Sequence, residues 1–156
     1  MKEAVEYGIN VFCKDILDLK PDRATMLGNN FYGASIQIYE NSTEINWILL
    51  FKKDTLKTVA QILLFEDDLS EEDYIDLLKE VSNQIIGIAK VKLEEKNQNK
   101  TYKLGTPKFL GLVSAPIPFK LENKLLYKVK NRTFLVAEGS PAGKIKNGLN
   151  KNESGR

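Results

Sequence analysis

The sequence predicts an α+β fold, an antiparallel or mixed sheet with its helices packed on one face. Three observations predict it. Apolar residues recur at helical spacing near the start and in the middle of the chain. Short β-type runs bounded by Gly, Asn and Pro lie between and after those helices. The resulting order, helix then strands then helices then strands, is that of segregated rather than alternating elements. At 156 residues the chain fits one domain with a sizeable core.

The first helix spans residues 2–19. Val5, Ile9, Phe12 and Ile16 share one face, while Glu3, Glu6, Lys14 and Asp18 lie elsewhere, and Pro21 ends the element. Cys13, beside Phe12, reads as a small buried hydrophobe rather than a reactive thiol. After the Gly28-Asn29-Asn30 turn, residues 33–39 and 45–51 read as an antiparallel strand pair, with Trp47 on a core or sheet face. Asp54 or Thr55 can cap a short helix reaching about Phe65, with Leu56, Val59, Ala60 and Leu63 on one side.

Ser70-Glu71-Glu72-Asp73 has the form of a capping box, with acidic residues where the helix dipole favours them. It opens a long amphipathic helix that ends in the polar run Glu94–Lys100, expected as a loop. Residues 103–111 form an extended segment in which Pro107 points to an edge or entry position. Residues 125–130 and 133–137 make a last hairpin with its turn at Asn131-Arg132. The domain is thus expected over residues 1–138. Residues 139–156 hold no aromatic residue and are expected as a disordered polar and basic tail.

Composition removes whole classes of chemistry. The chain has no histidine and one cysteine, which excludes Ser-His-Asp triads, Cys-His dyads, internal disulfides and nearly every zinc site. The tail holds four of the cations against one anion, so a formal charge of +2 leaves the body near neutral, with no case for nucleic acid. Glycine-rich nucleotide loops are missing. The acidic runs Glu66-Asp67-Asp68 and Glu71-Glu72-Asp73 read as solvated charge beside helix ends rather than as a metal site. No apolar run reaches the ~20 residues that span a bilayer, and the expected compartment is the cytoplasm.

Chemistry is concentrated on the long helix. On a wheel of ~100° per residue centred on Glu80, Asp76, Asn83 and Gly87 fall on one side, with Asp73 and Gln84 on the other flank. Tyr74, Ile75, Leu77, Leu78, Val81, Ile85, Ile86, Ile88 and Ala89 fill the remaining arc and must face a core. Glu80 and Asn83 therefore stand side by side in water. Asn and Gly both disfavour a helix interior, Gly by ~1 kcal/mol relative to Ala. A plain solvated face has no use for them, whereas Gly87 lets another backbone approach closely. A carboxamide both donates and accepts, so it can orient a water molecule, and Glu80 can ion-pair with a partner's lysine. The pair reads either as half an active site for acyl-phosphate hydrolysis, with the partner supplying the metal, or as a chance E-x-x-N on a solvated helix face.

Glu80-Val81-Ser82-Asn83-Gln84-Ile85-Ile86-Gly87 resembles the E-x-x-N-x-x-x-G signature helix of the CheX/CheC/FliY family of chemotaxis phosphatases. Gly33-Ala34-Ser35-Ile36 and Gly105-Thr106-Pro107-Lys108-Phe109 resemble further segments of that family, and the likeness covers roughly residues 1–138. CheC members carry two such helices and this chain one, which makes CheX the nearer type. The resemblance implies a phosphatase for the aspartyl phosphate of a phosphorylated CheY-like receiver domain in bacterial chemotaxis and flagellar motility. Asn83 would then orient the attacking water and Glu80 would pair with the receiver's lysine. Asp76, Gln84 and Gly87 would contact the partner. Mg²⁺ would sit in the receiver, with no cofactor in this chain, and the protein would be a homodimer. Gln84 departs from the apolar residue common in CheX-type members and bears on docking or dimer packing. The alternative is a non-catalytic adaptor on the same fold that binds a response regulator or a flagellar switch component.

Overall fold

The structure, a computed structural model, describes residues 1–141. Among the described residues, an antiparallel sheet of seven strands carries three helices on one face. In chain order the elements are α1 (Lys2–Val11), β1 (Asp22–Arg23), β2 (Phe31–Glu40), β3 (Thr43–Lys52), α2 (Lys53–Leu63), α3 (Glu71–Lys96), β4 (Tyr102–Leu104), β5 (Lys108–Val113), β6 (Phe119–Val129) and β7 (Arg132–Pro141). The sheet order is β1-β6-β7-β3-β2-β4, with β5 also pairing β2. Expectation and fold agree on class, on the antiparallel β2–β3 pair and on the long helix.

Period-2 alternation decides which core each strand residue joins. Trp47, Leu49 and Phe51 of β3 point into the main core beneath the helices, with Ile36 and Ile38 of β2. Ile48 and Leu50 point the other way, joining Phe31, Val113, Leu135 and Ala137 in a smaller cluster on the reverse face. The helix-facing cluster takes most of the apolar residues and positions α3.

Several boundaries differ from expectation. The first helix winds as α only to Val11, and Phe12–Ile16 is a π turn in which the Leu17 amide donates to the Phe12 carbonyl at 3.0 Å. The wider turn rotates the following residues out of phase. Phe12, Cys13 and Leu17 are buried, while Ile16, expected on the buried face, is exposed. Burial pushes the Cys13 thiol up to about 12, in keeping with an inert hydrophobe.

Neither Asp54 nor Thr55 caps α2. The N-cap is Lys52, without a side-chain bond, and Thr55 instead donates its hydroxyl to the Thr133 carbonyl of β7 at 2.7 Å. The helix α3 keeps Glu94, Glu95 and Lys96, which were expected in a loop, because Lys90 and Glu94 pair at i,i+4 and Asn97 closes the end. The last hairpin turns at Lys130-Asn131, one residue earlier than expected. Both residues have positive φ, +49° and +63°, as a two-residue hairpin loop with right-handed strand twist requires. Strand β7 also runs through Gly139, Ser140 and Pro141, three residues into the expected tail. The rest of that expectation, from residue 142, lies outside the described residues.

Candidate functional site

The site is built on α3, and what holds α3 comes first. Ser70 accepts from the Asp73 amide at 3.1 Å while the Asp73 carboxylate accepts from the Ser70 amide at 3.3 Å, completing the expected capping box. At the first helical residue, both carboxylate oxygens of Glu71 accept from the Tyr32 phenol at 2.8 Å, tying the helix start to β2. At the other end Asn97 donates to the Tyr102 phenol at 3.0 Å, and that phenol donates to Glu40 at 2.9 Å. Burial and the Glu71 carboxylate hold the Tyr32 phenol neutral, pushed up to about 12.

The middle of α3 is clamped by α1. A methyl group built on Gly8 would lie 2.4 Å from the Ile85 carbonyl oxygen, so the two helix backbones meet where only glycine fits. Leu78, Val81 and Ile85 are fully buried beneath, and Ser82 returns its hydroxyl to the Leu78 carbonyl at 2.8 Å. The opposite face is therefore presented on a fixed platform.

On that face Glu80 and Asn83 are exposed, with Asp76 exposed one turn before Glu80. Gln84 is half-buried and donates its amide to a Glu80 carboxylate oxygen at 2.9 Å. Gly87 is half-buried, and a methyl group on it would meet only Leu104 Cδ2, at the ordinary contact distance of 3.6 Å. Packing inside the chain accommodates alanine at this position. All five residues singled out from the sequence thus share one strip of α3. Ile75 and Ile88, expected to face the core, are only half-buried.

The strip is not a flat helix surface. Asp76, Lys79, Glu80 and Asn83 form one wall of a cleft of about 410 Å³ whose other wall is Gly105-Thr106-Pro107, the break between β4 and β5. Gly105 is fixed there by the hydrogen bond that its N–H donates to the Gln37 carbonyl at 2.8 Å, and a methyl group on it would lie 2.9 Å from Gln37 Oε1. Gln37 in turn donates to Asn46, and Asn46 to the Gly139 carbonyl, so the second wall is anchored to three strands. Sequence reasoning placed Pro107 at an edge but did not see this loop as a wall of the site. The signal available was Pro107 itself, which interrupts the pairing and leaves the loop free to face α3.

On the far side Asn83 and Gln84 also line a groove between α1 and α3, with Tyr7, Ile16, Gly87, Ile88 and Val91. Tyr7, Ile16 and Val91 were missed as site neighbours, Ile16 because of the π turn. Among the described residues no group of three or more His, Cys, Asp or Glu side chains is placed to hold a metal ion. No helix among them is long and apolar enough to cross a membrane.

A family model described as "Chemotaxis phosphatase CheX" matches residues 32–126, which include α3 and the Gly105–Pro107 wall. The chain belongs to the CheX family. Solved structures with the same fold include chemotaxis protein CheX from Vibrio vulnificus, at 14% identity with a TM-score of 0.72, covering 87% of this chain and 93% of that one. The CheX of Desulfovibrio desulfuricans is similar at 19% identity and a TM-score of 0.65, over 89% and 97% of the two chains. The CheX–CheY–BeF3–Mg²⁺ complex from Borrelia burgdorferi also matches, at 17% identity and a TM-score of 0.58, over 87% and 94%. No curated protein matches the sequence. At these identities the solved structures share the fold, and the membership rests on the family model.

Proposed function

We propose that this CheX-family chain accelerates hydrolysis of the aspartyl phosphate on a CheY-like receiver domain in bacterial chemotaxis. The observation that carries the reading is the exposed Glu80–Asn83 pair, one helical turn apart on a helix pinned at both ends and clamped in the middle. In the docked complex α3 lies across the receiver's active site. The Asn83 carbonyl accepts a hydrogen bond from the attacking water, and its amide can donate to a phosphoryl oxygen. The water oxygen bonds to phosphorus as the bond to the aspartate oxygen breaks, releasing inorganic phosphate and a free carboxylate.

Catalysis of this kind is alignment and electrostatics, which one positioned carboxamide can supply. Glu80 accepts an ammonium from the receiver and fixes the docking register. Asp76, Gln84 and Gly87 complete the contact. Mg²⁺ belongs to the receiver, as does the acidic pocket that holds it. The reading extends to a homodimer working in the cytoplasm, each copy presenting one α3; sedimentation gives the mass that tests this.

The deciding experiment is single-turnover loss of label from phosphorylated receivers in Mg²⁺. Wild type accelerates decay and Asn83→Ala slows it by two to three decades, about 3–4 kcal/mol of transition-state stabilisation. Asn83→Ala should still bind a beryllofluoride-loaded receiver. Unchanged decay with Asn83→Ala would move the chemistry elsewhere. Binding by wild type without acceleration of any receiver would make the protein an adaptor.

A further inference from the structure

The groove between α1 and α3 continues the Glu80–Asn83 strip toward the C-terminal end of α3, sharing Asn83 and Gln84 with it, and encloses about 450 Å³. Three exposed large apolar side chains meet there: Tyr7, Ile16 and Val91, at 45%, 36% and 51% of full exposure. Gly87 and the half-buried Ile88 form its floor. The rim is charged, with the Lys92 ammonium 4.6 Å from the centre of the Tyr7 ring and Glu95 beyond it. An apolar centre within a polar rim is the anatomy of a protein-recognition patch.

Two features show that the groove is built rather than incidental. The π turn at Phe12–Ile16, which closes the first helix, rotates Ile16 out of the core and into the groove. Gly87 weakens α3, yet alanine would fit the space around it. The chain's own packing gives no reason for glycine at the point where the groove meets Asn83.

We infer that this groove receives a large aliphatic or aromatic side chain of the docked receiver and thereby selects which receiver is dephosphorylated. The inference rests on the reading that Asn83 faces the receiver's acyl phosphate. Along α3 the groove floor begins about 6 Å from Asn83 at Gly87 and ends about 12 Å away at Val91. The occupant is therefore a residue on the receiver surface at that distance from its phosphorylated aspartate. Its closeness to a shared wall, Asn83, makes occupancy of groove and site one docking event.

The test uses Val91→Asp and Ile16→Asp, with Tyr7→Ala as a third variant and Val91→Ile as the conservative control. All three positions of change are solvent-exposed, and melting curves verify that each protein folds. Binding is measured to Mg²⁺- and beryllofluoride-loaded receiver domains from the same cell, with single-turnover hydrolysis at saturating protein. The aspartate variants should weaken binding at least tenfold while hydrolysis at saturation stays within threefold of wild type. Val91→Ile should bind as wild type does.

If Asn83→Ala abolishes hydrolysis but the aspartate variants bind normally, the groove is empty in the complex and the inference fails alone. If Asn83→Ala hydrolyses like wild type, or no receiver responds to wild type, the parent reading fails and takes the inference with it. If the aspartate variants instead lower the mass in sedimentation without weakening receiver binding, the groove holds a second copy of this chain, and the inference is overturned.

Discussion

Gly8 of α1 sits against the Ile85 carbonyl of α3 so closely that a Cβ would lie 2.4 Å from that oxygen. Ile85 lies between Asn83 and Gly87, so this contact sets the height of the site above the sheet. The atom opposed is backbone, which cannot rotate away. Gly8→Ala must therefore push the helices apart, and overpacking of this kind costs about 1–3 kcal/mol even though alanine is the better helix former. Urea unfolding measures the loss. An unchanged or higher midpoint would mean that α1 and α3 are not in contact at Gly8.

The two faces of α3 should respond oppositely to truncation. Leu78 is fully buried, and Leu78→Ala should cost ~2–5 kcal/mol through lost burial and the cavity left behind. Asn83 is exposed, and Asn83→Ala should leave stability level or slightly raised, because alanine has the higher helix propensity. Thermal and urea melts of the two variants test the pair. Unfolding by Asn83→Ala would make Asn83 structural and remove it from the proposed chemistry.

The α3 strip was legible in the sequence because a helix's periodicity and its caps are local. The capping box, the buried Leu78, Val81 and Ile85 and the exposed Glu80 and Asn83 all follow from spacing alone. What could not be read is what depends on distant partners. The two-residue β1 and the Phe119–Lys124 half of β6 were missed, since the first is too short for a pattern and the second is broken by a bulge at Asn123. The π turn that exposes Ile16 has no sequence mark, because one extra residue per turn leaves the apolar spacing superficially helical. The cleft wall at Gly105–Pro107 needs the registers of β4 and β5 on β2, which only the folded sheet supplies.

Tyr127 provides a pH test of the α1–sheet contact. Its phenol donates to the Glu6 carboxylate, which also pairs with Arg23 at 2.8 Å. Burial first, then the bond to Glu6, push the Tyr127 phenol from its usual 10.0 up to about 12. The unfolded chain therefore loses this proton near pH 10 while the folded one keeps it. The stabilisation is fully present below pH 10 and is lost as pH rises from there through about 12. Urea midpoints should fall over that window and fall less steeply for Tyr127→Phe, which should itself lose ~1 kcal/mol at pH 8 with the hydrogen bond. Parallel pH profiles for the two proteins would show that Tyr127 titrates as a free phenol.

The Gln84–Glu80 hydrogen bond at 2.9 Å gives the last prediction. A free Glu side chain loses up to ~1.5–2 kcal/mol of rotamer freedom when it is fixed, and an i,i+4 hydrogen bond meets part of that cost before docking. Gln84 occupies one carboxylate oxygen and leaves the other available for an incoming ammonium. Gln84→Leu, which keeps the bulk and removes the donor, should then weaken receiver binding two- to fivefold. In a Glu80→Ala background the same change should cost less, since part of the effect of Gln84 acts through Glu80 and the rest is its own contact with the receiver. Glu80→Ala should also flatten the salt dependence of binding, because an ion pair has been removed. The four proteins of this cycle are compared by titration with a beryllofluoride-loaded receiver at two ionic strengths. Equal losses from Gln84→Leu in both backgrounds would mean that Gln84 touches the receiver directly and does not position Glu80.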